Sequence, residues 1–71
     1  MKIIANEYEP KEVFKILREW TELTQEELAQ ELGYKNYHSI KQIERGINNF
    51  TFQKFMQIAN KHNLMVIIEK K

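Results

Sequence analysis

Leu28, Ala29 and Leu32 recur at the spacing of one helical face, and the residues before them say where that helix begins. Thr24-Gln25-Glu26-Glu27 has the Thr-x-x-Glu form of a capping box, in which the threonine hydroxyl caps the backbone and the glutamate reaches back. Leu23 and Leu28 stand at the spacing of a hydrophobic staple across that cap, and Gly33 supplies the positive φ at which such a helix ends. The pattern predicts a helix over about 24–32. A second is predicted over about 37–45, with Asn36 as its cap, Ile40 and Ile43 inward, and Gly46 closing it. That phase directs Tyr37, His38, Lys41, Gln42 and Arg45 away from the core.

Two further helices flank this pair. Glu9-Pro10 starts one with proline in its first position, predicted over about 10–21. Its inner face is read as Val13, Ile16 or Leu17, and Trp20, with Phe14 flanking and Arg18 near the C-terminal end, where a cation suits the dipole. Thr51 caps the other, predicted over about 52–62, with Phe50 and Phe55 at staple spacing and a buried stripe of Phe52, Phe55, Met56, Ile58 and Ala59. The two ends change character. Residues 1–5, with Ile3-Ile4, and residues 64–69, Leu-Met-Val-Ile-Ile-Glu, are predicted as short strands, the second closed by Lys70-Lys71. An isolated strand pair is marginal in water, so the two should pair under a cover of helices. Because the second is apolar at both parities, its other face predicts a homodimer in which terminal strands of two copies meet. The fold class is mostly α.

Composition narrows the chemistry. Seventy-one residues predict one small domain with no room for an effector domain. The chain has no cysteine, so neither a disulfide framework nor a thiolate metal site is expected. No apolar stretch approaches the roughly 20 residues of a membrane span, and no signal-peptide core opens the chain, which predicts a soluble cytoplasmic protein. His38 and His62 are far apart and lack ligand-spaced companions, so neither a metal nor another cofactor is expected. There is no aspartate, and Ser39 lies inside a predicted helix, so no catalytic constellation forms and the reading is of a protein that is not an enzyme. The net charge is only +1, but it is unevenly spread: residues 1–33 carry four Lys/Arg against eight Glu, and residues 34–71 carry seven against two. The basic half contains the second helix of the central pair, which favours an anionic partner.

Taken together, Leu23-Thr24-Gln25-Glu26-Glu27-Leu28-Ala29, Leu32-Gly33 and Ile40-x-x-Ile43-Glu44-Arg45-Gly46, followed by Asn49, Phe55, Ile58-Ala59 and Leu64, form a recognisable set. Over residues 10–63 the chain resembles the helix-turn-helix domain of the phage repressor and Cro (XRE) family of DNA-binding regulators. Two departures stand out. Gly33 to Ile40 holds one residue more than the commonest family pattern, and Trp20-Thr21-Glu22-Leu23 lacks the glycine that usually precedes Leu-Thr-Gln.

The resemblance implies a four- to five-helix repressor-like domain whose second central helix lies in the major groove of double-stranded DNA while the first crosses the backbone. On that footing Tyr37, His38, Ser39, Lys41 and Gln42 are the candidate base readers. Gln25, Lys35, Asn36, Arg45, Asn48 and Asn49 are the candidate phosphate contacts. Glu44 and Arg18 are expected to pair with each other for structural reasons. The implied function is a sequence-specific transcriptional regulator, a repressor on a pseudo-palindromic operator. The alternatives are an antitoxin-type or other protein-interaction module that also binds DNA, and a fold relative that has lost DNA binding.

Overall fold

The computed structural model describes residues 1–71. After one turn of 3-10 helix at Ala5–Glu7 come four α-helices: α1 (Pro10–Thr21), α2 (Gln25–Leu32), α3 (His38–Glu44) and α4 (Phe52–Lys61). Helix α3 packs on both α1 and α2, and α4 packs on α1.

Local chemistry accounts for the helix ends. Glu9 and Glu12 form a capping box at the start of α1, with Pro10 in its first turn, and Thr24 and Glu27 form a second at α2. The Thr51 hydroxyl accepts from the Lys54 N–H and starts α4. Helix α2 stops in a Schellman motif: Gly33 has φ +81°, its N–H reaches the Gln30 carbonyl, and the Tyr34 N–H reaches Ala29 at 2.9 Å. Helix α4 stops the same way with Asn63 at φ 57° and the Leu64 N–H on the Ala59 carbonyl at 2.8 Å. The turn between α1 and α2 lacks glycine, yet its backbone still takes the left-handed form, with Glu22 at φ 63°. Thr21 supports that turn, its hydroxyl donating to the Arg18 carbonyl and accepting from the Leu23 N–H.

The core is one cluster of Phe14, Leu17, Leu28, Ala29, Leu32, Ile40, Ile43, Phe55 and Ile58, with Val13, Leu23, Tyr34, Phe50, Met56 and Leu64 packed against it. Phe50 bridges helices, its ring centroid 4.8 Å from Phe14 and 5.5 Å from Phe55. Away from the apolar cluster, the nearly buried Glu31 carboxylate on α2 joins His62 Nε2 at 2.9 Å and Lys61 Nζ at 3.0 Å, tying α2 to the end of α4. Burial pushes the Glu31 carboxyl up, but the hydrogen bonds and charges of His62 and Lys61 outweigh it and hold the group below its ordinary value.

Three expectations are corrected. Phe14, not Trp20, is the fully buried aromatic of α1, and Trp20 lies half-buried outside the core cluster. The inner face of α1 runs through Phe14, Leu17, Arg18 and Thr21, so two polar residues with internal hydrogen bonds occupy positions that hydrophobicity alone assigns outward. Phe52 is 64% exposed instead of buried, because as the first residue of α4 it has only the Phe55 ring, 6.4 Å away, to lean on. Finally, the chain contains no strand, so the terminal segments do not pair with each other. Leu64 is the last residue seated against the core; beyond it Met65 is 82% and Ile68 89% exposed. Two lone strands without a third partner would gain too little to form a sheet.

Candidate nucleic-acid interface

The turn from α2 to α3 spans Tyr34 to Tyr37 and absorbs the extra residue between Gly33 and Ile40. Tyr34 is held at its start by the Schellman bond and by Lys54, whose ammonium lies 4.8 Å from the ring centroid and donates to the Leu32 carbonyl. At its end Asn36 Oδ1 accepts from the His38 N–H at 2.9 Å, and Tyr37 already has helical backbone angles. The Lys41 N–H bonds to the Tyr37 carbonyl, so the helical path begins one residue before α3 proper.

Ile40 and Ile43 fix the rotation of α3, with 0% and 3% of their surface exposed. At 100° per residue the opposite side carries His38, Lys41, Gln42 and Arg45, the i, i+3, i+4, i+7 stripe of a helix, and all four are exposed. Tyr37 and Ser39 flank the stripe, Tyr37 exposed and Ser39 partly covered. The Tyr37 and His38 rings stack with centroids 4.5 Å apart, giving the start of the helix a flat aromatic surface.

The remaining polar side chain of α3 turns the other way. The Glu44 side chain is 6% exposed and receives Arg18 Nε and Nη2 on its two oxygens, while Gln25 Nε2 donates to Oε1 at 3.2 Å. Arg18 Nη1 also donates to the Leu23 carbonyl at 3.0 Å. One guanidinium therefore joins α1, α3 and the turn before α2. The hydrogen bond to Glu44 raises the Arg18 pKa further, against the opposing effect of burial. The consequence for electrostatics is direct. Glu44 is the only carboxylate between Gly33 and Asn49, and it is neutralised inward, so the outward stripe presents Lys41 and Arg45, with Lys35 nearby, and no acid of its own.

The loop after α3 folds back on the helix. Gly46, at φ +80°, lets the backbone reverse beneath the Lys11 side chain, and the Ile47 and Asn48 N–H groups both reach the Gln42 carbonyl. Asn48 Nδ2 also donates to Gln42 Oε1 at 2.7 Å. A shallow hollow at the start of α2 is lined by Arg18, Thr24, Gln25, Glu26 and Tyr37.

A family model described as helix-turn-helix matches residues 14–64. The chain belongs to this family. The matched region takes in most of α1, all of α2, α3 and α4, and Leu64, the last residue seated against the core. This is the phage repressor and Cro type of helix-turn-helix, a family of DNA-binding regulators rather than of enzymes. No curated protein and no solved structure matches the chain. No helix is long and apolar enough to cross a membrane.

Within this helix-turn-helix domain the candidate residues divide into groups. Tyr37, His38, Lys41 and Gln42 share one exposed surface with Arg45, and Ser39 sits at its edge. Lys35 and Asn36 lie in the turn before α3, and Asn48 and Asn49 in the loop after it, all exposed. Gln25 stands apart, partly buried and hydrogen-bonded to Glu44. Sequence reasoning misses the pairing of Gln25 with Glu44 and, closer along the chain, that of Asn48 with Gln42. Six positions separate the latter two, and only the reversal at Gly46 brings them together; that glycine was the available signal.

Proposed function

We propose that the chain is a sequence-specific transcriptional repressor that inserts α3 into the major groove of a pseudo-palindromic operator. The observation that carries this reading is the acid-free outward stripe of His38, Lys41, Gln42 and Arg45, with the one carboxylate of α3, Glu44, tied up inside by Arg18. In this reading Gln42 pairs with adenine, Lys41 donates to guanine, and Tyr37, His38 and Ser39 touch bases at the N-terminal end of the helix. Lys35, Asn36, Arg45 and Asn49 hold phosphates on either side, and the backbone N–H of Gln25 adds one at the start of α2, its side chain being held on Glu44. The apolar, exposed Met65, Ile67 and Ile68 support homodimerisation through the terminal segments. The protein acts in the cytoplasm, on the nucleoid. The same exposed residues favour, as a second reading, a protein partner of antitoxin type held alongside DNA.

Selection of bound duplexes from a randomised pool by the purified protein tests the proposal. Enrichment of an inverted repeat with half-sites about one helical turn apart is the expected result. Failure to enrich any sequence overturns it and turns the search to protein partners.

A further inference from the structure

Gln42 is the one outward residue of α3 whose side chain is held by another side chain through a hydrogen bond. Asn48 Nδ2 donates to its Oε1 at 2.7 Å, and the same loop is anchored by the Ile47 and Asn48 N–H groups on the Gln42 carbonyl at 2.9 and 3.3 Å. Both side chains are exposed, so burial does not demand this bond, and an exposed neutral hydrogen bond adds little to stability. Its effect is on orientation. A glutamine amide can flip by 180° about its last torsion, exchanging its acceptor and donor ends at little cost. With Asn48 donating, the oxygen is fixed on the loop side, and the Nε2 hydrogens and the second lone pair of Oε1 are left for a ligand. One donor and one acceptor side by side is what adenine requires at N7 and N6 in the major groove, whereas guanine offers two acceptors there.

We infer that Asn48 is a positioning residue for base readout: by fixing the Gln42 amide it makes that residue selective for adenine. This rests on the DNA-reading function proposed above. It assigns Asn48 a role different from the phosphate contact expected from its place in the loop. The two roles have different signatures, because a phosphate contact weakens all sequences alike and contributes to the salt dependence, whereas a positioning residue changes preference at one base pair.

The test is duplex selection followed by binding titrations at several salt concentrations, using the parent, Gln42→Ala, Asn48→Ala and the double variant. The parent result separates the two claims, since a parent that enriches no sequence overturns the DNA-reading function and this inference with it. Given an enriched site, Asn48→Ala should lose preference at the same base pair as Gln42→Ala. The loss should be roughly tenfold in discrimination, with an unchanged salt slope and melting temperature. The double variant should lose no more at that position than Gln42→Ala alone. Uniform weakening across sequences with a shallower salt slope would overturn the inference in favour of a phosphate contact, and an unchanged preference would overturn it outright.

Discussion

Helix α3 carries polar side chains on two sides, and the two sides do opposite things. On the inner side Glu44, Arg18 and Gln25 form a partly buried cluster in which the carboxylate has partners on both oxygens. On the outer side His38, Lys41, Gln42 and Arg45 face solvent, and only Gln42 has a side-chain hydrogen-bond partner. The inner cluster sets where α3 sits relative to α1 and α2, and the outer stripe is what that placement presents. Polarity by itself does not separate architecture from recognition. Burial and satisfied hydrogen bonds do.

The largest effect that could break this comparison lies inside. Glu44→Ala leaves the Arg18 guanidinium largely buried without its carboxylate, and should destabilise the fold by about 3–5 kcal/mol in urea unfolding. Replacing both charges with apolar residues, Arg18→Met with Glu44→Leu, should recover much of that loss, since the penalty comes from the unpaired charge. A Glu44→Ala protein as stable as the parent would mean that the cluster is decoration.

Outside, the expected pattern reverses. Lys41→Ala should leave stability within about 0.5 kcal/mol of the parent while altering sequence preference by roughly 1–3 kcal/mol. Arg45→Ala should instead weaken all duplexes together and reduce the salt slope by about 0.9. Equal loss of stability in these variants and in Glu44→Ala would erase the distinction between the two sides.

The turn that feeds the inner cluster offers a smaller change of opposite sign. Glu22 holds a left-handed backbone that costs a side-chain-bearing residue roughly 1–2 kcal/mol. Part of that returns on substitution, so Glu22→Gly should stabilise the protein by about 1 kcal/mol, read as a rise in melting temperature. A drop would show that the Glu22 side chain contributes more than its backbone strain costs.

The smallest effect concerns Glu31, the other nearly buried carboxylate. Its folded-state pKa is depressed below the ordinary 4.5, so the stability it adds is present above that value and lost as pH falls through the folded pKa. The parent should therefore exceed Glu31→Gln in stability near pH 6, and the gap should shrink progressively as the pH falls below 4.5 through the depressed folded-state pKa. A gap that is constant with pH would assign the difference to packing instead.

How much of this could be read from the chain depends on the reach of each interaction. Thr24, Gly33 and Thr51 were legible because a cap and its partners lie within a few residues. The outward stripe of α3 followed from Ile40 and Ile43, which set its phase. The phase of α1 is not legible for the converse reason: Arg18 and Thr21 face inward, and their polarity is satisfied by groups that periodicity cannot see. The pairing of Arg18 with Glu44, 26 residues apart, came from family resemblance rather than from spacing. The terminal segments have β-propensity, but the chain offers no further strand to complete a sheet.

The most direct test of the claim that the outer side of α3 is the recognition surface is a heteronuclear NMR titration of the labelled protein with its selected duplex. The account predicts the largest amide shifts between Lys35 and Asn49, centred on His38, Lys41, Gln42 and Arg45, with little change at Ile40 and Ile43. Shifts concentrated in Met65 to Ile68, with α3 unmoved, would contradict it.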